Sequence, residues 1–291
     1  MKIYDCITYF NEKTLFELRL NILDRFIHRF IVVEANYTHS GNPKKLNFNI
    51  KDYPKFKDKI IYIPLKKSPK NIKHPLKDFK RFNSIQRIAY QRNEILKFLK
   101  TANNNDIIIY SDSDEIPNLD NLNFDKIKEK FIIFKQNLFY YKLNLELKSV
   151  AWYGSRACKK KYLVDINHLR NIKPKKYQWW RFDTLIKSNK ERSLKIIENG
   201  GWHFSQIMSP KKIQIKFLND EHHDEYELNK LKYEKIKEMI KKKYIIYDHN
   251  ADQKNFKKKW NSKVFLTKIS TNNLPEYIKK NIKKYKSLIS H

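Results

Sequence analysis

Cysteine and glycine are scarce in this chain, and arginine is scarce for so basic a protein. Two cysteines, Cys6 and Cys158, exclude a disulfide framework and a zinc cluster. A reducing compartment is the simplest setting for them, and Cys6, inside an apolar run, is expected in the core. Four glycines in 291 residues leave no Gly/Ser linker, and no internal repeat divides the chain. No stretch approaches the ~20 apolar residues that a membrane helix needs. The opening MKIYDCITYF is too short and too polar for a signal peptide. We therefore expect a cytoplasmic protein without a transmembrane helix, in which the sequon Asn36-Tyr37-Thr38 plays no part in glycosylation.

Acids are outnumbered, with Lys+Arg 62 against Asp+Glu 31 and a formal net charge of +31. Such a charge invites a nucleic-acid reading. Only ten of the basic residues are arginine, however, and the lysines are spread along the chain. A dedicated site would show a clustered stripe containing Arg, which reads phosphate in a bidentate way. Lys, Asn and Ile share A/T-rich codons, which offers genome bias as an alternative source of this balance. Most of the lysines are expected to be solvated surface, with a minority steering an anionic substrate or holding the protein peripherally near an acidic membrane. Nucleic acid is not the expected partner.

What is present argues for a folded enzyme-sized domain. Hydrophobic content of 41% and aromatic content of 14% exceed what disordered chains carry, and a chain of this length buries about 75% of its unfolded surface. The first half alternates strand and helix. KIYDCITYF reads as a strand. NEKTLFELRLNILDRF reads as a helix with Leu15, Leu18, Ile22 and Phe26 on one face, capped by Asn11 or by a Thr14–Glu17 capping box. RFIVVEA and DKIIYIPL are further strands, residues 79 to 100 a long helix, and DIIIYS a fourth strand. This alternation predicts an α/β fold with a mostly parallel sheet flanked by helices. Later come aromatic strands and all five tryptophans, a helix opened by Ser209-Pro210, Lys-rich helices to about residue 243 and a last one from Pro275. We read one domain: residues 1–120 as a nucleotide-binding-like half, 121–225 as an acceptor-side half and 226–291 as a helical C-terminal extension.

Ligands of open parallel sheets bind beyond the carboxyl ends of the strands. At such an end, IIIYSDSDEIPNL places Asp112, Asp114 and Glu115 between a greasy run and Pro117. Two oxygen ligands on a tight turn suit Mg²⁺ or Mn²⁺, and such an ion on a diphosphate neutralises the leaving group. Acids in such turns also serve simply as caps. His203, in NGGWHFS, is a second candidate ligand, with a packed, hydrogen-bonded histidine as the bland alternative. His222 and His223 read as surface. Trp152, Trp179 and Trp180 suit sugar faces or the core equally.

Taken in order, these segments resemble glycosyltransferase family 17. The resemblance is carried by FNEKTLFELRLNIL, by IVVEANYTHSGNPKKLNF through Glu34, Asn36, Thr38, Gly41 and Pro43, by QRN at 91 to 93, by SDSDEIP, and by GGWHFS. It implies a GT-A-like fold, a UDP-sugar donor, usually UDP-N-acetylglucosamine, an inverting outcome and a glycan or glycolipid acceptor. By similarity Asp112 and Asp114 would hold the metal diphosphate, with His203 a further ligand. Glu34 and Thr38 would lie near the nucleoside, Arg92 would face phosphate or brace the acidic loop, and Glu115 would belong to the donor site. Inversion needs a general base, for which Asp183 is the candidate and Glu115 and Glu198 are alternatives. Two other classes use the same residues: a metal-dependent nuclease or nucleotidyltransferase, and a non-catalytic glycan- or nucleic-acid-binding module.

Overall fold

The computed structural model describes residues 1–73, 79–175, 177, 189–219, 231–250, 260 and 262–290. Four strands, β1 (Ile3–Thr8), β2 (Arg29–Ala35), β3 (Ile60–Leu65) and β4 (Ile107–Ser111), run parallel in the order β3-β2-β1-β4. Helix α1 (Lys13–Leu23) connects the first two, and α2 (Lys80–Asn93) precedes β4. The expected α/β class is what the structure shows.

Every residue of β4 is buried, because both faces of this sheet are covered, as parallel sheets require. Successive side chains point to opposite faces, so one strand feeds two cores. Ile7, Val32, Ile107 and Ile109 join α1 on one side, whereas Cys6, Ile31, Val33 and Ile108 pack on the other against Ile95, Leu99, Ile166 and Leu169. A fully buried Ile or Val side chain contributes about 1.5–3 kcal/mol, which is why near-continuous apolar runs such as Ile107–Ile109 make the central strands.

Beyond β4 the sheet turns mixed. After β5 (Glu115–Pro117) come β6 (Phe131–Tyr140), the short β7 (Leu145–Glu146) and β8 (Trp152–Lys159). Strand β8 lies antiparallel between β4 and β6. Helix α3 (Ile166–Asn171) follows, then β9 (Leu194–Ile197) and β10 (Gly201–Ser205). Both β9 and β10 run parallel to β6, and β10 also pairs antiparallel with β5.

The C-terminal part holds α4 (Pro210–Asn219), opened by Pro210 as expected, α5 (Tyr233–Lys241), β11 (Tyr244–Ile245), β12 (Val264–Phe265), β13 (Thr267–Lys268) and α6 (Glu276–Lys280). It is not helical throughout, and it is no appendage. Strand β13 pairs with β7, and Leu274, Ile278, Tyr285 and Ile289 enter the same core as α1. A third core gathers Tyr140, Tyr141, Ile213, Ile236, Met239 and Trp260.

Helix α1 also departs from the expected capping. Its N-cap is Glu12, with no side-chain cap bond, and Thr14 lies inside the first turn. Glu12 instead accepts the backbone N–H groups of Phe10 (3.2 Å) and Asn11 (2.9 Å), satisfying the chain before the helix rather than within it. Among the described residues no helix is long and apolar enough to cross a membrane.

Candidate active site

A cleft of about 660 Å³ opens where β1, β2 and β4 end, lined there by Thr8, Tyr37, Thr38 and residues Asp112 to Asp114. Its volume suits a nucleotide-sized ligand. Part of the lining is aromatic: Tyr140, Trp152, Tyr247, His249 and Trp260. Tyr140 Oη and His249 Nε2 lie 2.7 Å apart.

The acidic turn is held from behind by its own glutamate. The Glu115 N–H donates to the Asp112 carbonyl (3.1 Å), and the Asp112 N–H donates back to Glu115 Oε2 (3.2 Å). The other carboxylate oxygen, Oε1, accepts from Trp152 Nε1 (2.8 Å) and Arg170 Nη2 (3.3 Å). Glu115 is fully buried and does not reach the cleft. Its carboxylate lies under the turn, bonded to Asp112 N–H, Trp152 and Arg170.

From α1, the fully buried Arg19 donates to Asp5, to Ser111 Oγ (2.9 Å) and to the Glu115 carbonyl. Strand β10 then delivers His203. Register pairs His203 with Glu115, and the Phe204 N–H donates to the Asp114 carbonyl (2.8 Å). Two glycines allow this crowding. Gly201 sits at φ +129°, where a Cβ would stand 2.2 Å from the Ile116 carbonyl oxygen. At Gly154 a Cβ would meet Gln136 Oε1 at 1.8 Å and Glu115 Cδ at 3.0 Å.

The two aspartates have different partners. Asp112 Oδ2 accepts from Arg170 Nε (3.1 Å) and Nη2 (2.6 Å), while Oδ1 accepts from Arg92 Nη2 (3.4 Å) and Tyr110 Oη (3.3 Å). Arg92 also donates to Tyr110 and Asn167. Asp114 Oδ2 accepts from Lys216 Nζ on α4 (3.0 Å), and Oδ1 lies 3.4 Å from His203 Nε2. Burial pushes both carboxyls up. The guanidinium groups of Arg170 and Arg92 at Asp112, and the Lys216 ammonium and His203 at Asp114, outweigh burial and hold both well below the usual carboxylate range.

These partners test whether a divalent cation fits. Among the described residues no three His, Cys, Asp or Glu side chains gather as a metal cluster. Asp112 is given to arginines. Asp114 and His203 are the pair left for such an ion: Asp114 Oδ1 lies 3.4 Å from His203 Nε2, and the same carboxylate already carries the Lys216 ammonium on Oδ2. Two protein ligands suit Mg²⁺ or Mn²⁺, which keep waters and take phosphate oxygens for the rest of their shell.

Of the other expected residues, Thr38 and Arg92 line the cleft, and Arg92 braces the acidic turn. Glu34 does not line it. This buried carboxylate accepts from the Asn47 N–H (2.7 Å), the Phe48 N–H (3.0 Å), Tyr62 Oη (3.0 Å) and Lys44. It thereby fixes the segment that carries Lys44 to the cleft rim. Glu198 is exposed and bonded to Lys135 (2.7 Å), away from the cleft. Asp183, Trp179, Trp180, His222 and His223 lie outside the described residues. Sequence reasoning missed Arg170, Lys216 and Lys44. Arg170 sits in no motif, and the two lysines are indistinguishable in sequence from their many solvated neighbours.

A family model described as glycosyltransferase family 17 matches residues 1–290. The chain belongs to glycosyltransferase family 17. No curated protein matches it significantly. Similar solved structures include a putative glucose-1-phosphate thymidylyltransferase from Bacillus anthracis, at 14% identity and TM-score 0.35, covering 69% of this chain and 88% of that one. A glycosyltransferase involved in glycosylation of the major capsid of PBCV-1 shows 12% identity and TM-score 0.31, over 68% of this chain and 81% of that one. An active-site mutant of LgtC shows 11% identity and TM-score 0.32, over 66% and 72%.

Proposed function

We propose that this family 17 member moves N-acetylglucosamine from a UDP-sugar to a glycan or glycolipid acceptor, with inversion and with a bound Mn²⁺ or Mg²⁺. The observation that carries the reading is the Asp112–Asp114 turn, open to a cleft that Lys44, Arg92, Arg170 and Lys216 also line. An acidic turn amid cations suits a diphosphate with its counter-ion.

In this reading Asp114 and His203 would hold the metal, which would supply charge neutralisation for the departing diphosphate. The chain's own groups do the rest. Arg92 and Arg170 fix Asp112 and so the turn, and Thr38 and Lys44 border the nucleotide end. The acceptor hydroxyl gives its proton to a carboxylate as its oxygen bonds the anomeric carbon. The bond from that carbon to the phosphate oxygen breaks, and its electron pair leaves with UDP. We propose Asp183 for the base. The aromatic part of the lining, with Tyr140, Trp152, Tyr247 and His249, is suited to the acceptor side.

The test is thermal stabilisation across nucleotide sugars, with and without Mn²⁺, followed by detection of released UDP. Stabilisation by UDP-N-acetylglucosamine that needs Mn²⁺ and disappears in Asp114→Ala is expected. Stabilisation by RNA with indifference to every nucleotide sugar would sink the reading.

A further inference from the structure

Charge is one-sided where the chain leaves β3. Among the described residues from 59 to 93 there is no acid, and Lys66, Lys67, Lys70 and Lys73 are all exposed. Strand β3 runs parallel to β2, β1 and β4, so this segment leaves the sheet at the end where the acidic turn lies. Asn83 of α2 takes hold of it: its side chain accepts the Lys73 N–H (3.0 Å) and donates to the Lys73 carbonyl (2.9 Å). Two large apolar side chains stand bare on the same helix. Phe82 is 37% and Ile85 44% exposed; three positions apart, they are neighbours on the helix surface. Lys73 Nζ lies 4.9 Å from the centre of the Phe82 ring, and Ile85 lines the cleft. Cationic and apolar groups therefore meet at the cleft rim.

The composition of this rim selects its partner. The arginines of α2, Arg81, Arg87 and Arg92, are partly buried, so the exposed cations are all lysine. A nucleic-acid surface favours arginine and stacking side chains, and a bare isoleucine gains nothing there. A bilayer interface suits the combination: lysines meet anionic head groups, while aromatic and aliphatic side chains enter the boundary with the acyl chains. We propose that this rim, Lys66, Lys67, Lys70 and Lys73 with Phe82 and Ile85, docks on a bilayer containing anionic phospholipid and brings the cleft to the lipid surface. The consequence for chemistry rests on the transferase reading above: the acceptor is a sugar carried on a lipid. The docking itself needs neither nucleotide nor metal.

Co-sedimentation with vesicles, without nucleotide or metal, is the test. Wild type is expected to bind phosphatidylcholine vesicles containing about 30 mol% phosphatidylglycerol and to ignore pure phosphatidylcholine. Each lysine near the surface is worth about fivefold, so K66Q/K67Q/K70Q/K73Q should bind at least about fiftyfold more weakly. F82S/I85S should bind about tenfold more weakly, with melting curves confirming that both variants fold. Cys6 and Cys158 are buried, so one added cysteine takes an environment-sensitive dye selectively. A dye on Ile85→Cys should shift to the blue on the anionic vesicles. A dye on Asn105→Cys, in the exposed turn before β4 at the opposite end of the sheet, should not. No binding to anionic vesicles, a quadruple variant within about threefold of wild type, or equal shifts at both dye positions overturns the proposal. So does RNA binding that the quadruple substitution abolishes while vesicles are ignored. A protein that docks but binds no UDP with Mn²⁺ keeps the docking and loses the donor reading; one that binds UDP and ignores vesicles does the reverse.

Discussion

Arg19→Met is the substitution that best separates the frame of the site from its chemistry. Arg19 and Asp5 are 0% and 1% exposed, and the guanidinium joins three elements: Asp5 of β1, Ser111 of β4 and the Glu115 carbonyl of β5. Removing one partner of a buried ion pair strands the other charge and costs about 3–5 kcal/mol. An unfolding entropy of about 2.1 cal/mol/K per residue gives roughly 0.6 kcal/mol/K for this chain, so the midpoint should fall by about 5–8 °C. Differential scanning fluorimetry in metal-free buffer reads this directly. The double variant R19M/D5L removes both charges and should recover most of the loss, since apolar replacement of a buried pair is often near neutral. The Glu115 carbonyl would still lack its donor, so Mn²⁺-dependent UDP binding should stay weakened in the stabilised double variant. A fall below about 2 °C in R19M, or a double variant no more stable than the single, would refute the argument.

Arg170→Met leaves Asp112 and Glu115 with one cation fewer in a buried turn; kcat/KM for sugar transfer should drop by about tenfold or more, with Arg170→Lys intermediate because a point charge cannot replace three contacts. Gly201→Ala puts a Cβ at φ +129° and 2.2 Å from the Ile116 carbonyl oxygen, so it should cost more than the ~1 kcal/mol of an ordinary core change, measured as a fall in urea midpoint. The folded-state depression of Asp112 and Asp114 stabilises the protein at pH above the unfolded Asp value of about 3.9, and that contribution is lost as pH falls toward the lower folded values. Melting temperature in chelator should therefore decline below about pH 4.5, and less steeply in Asp114→Asn; parallel slopes would contradict the assignment.

Local pattern in the sequence was enough for the β1-α1-β2 start, for β4 with its acidic turn, for the Ser209-Pro210 helix opening and for the residues that carry the family resemblance. Periodicity, capping and turn chemistry act over a few residues, so they are legible without a fold. What lay beyond that range was decided only by the tertiary structure. Glu34 and Glu115 look like site carboxylates in sequence. The fold spends both on backbone N–H groups and neighbouring side chains, because each is buried behind the segment that it holds. Arg170 reaches Asp112 from 58 residues away and Lys216 reaches Asp114 from 102 away. No spacing rule connects such pairs, and one lysine among so many has no mark of its own. Sheet pairing sets these partners: β10 beside β5 brings His203 to Asp114, and α4, which follows β10, brings Lys216 to the same carboxylate. The sequence determined that an acidic turn would end the fourth strand; long-range packing determined which cations would face it.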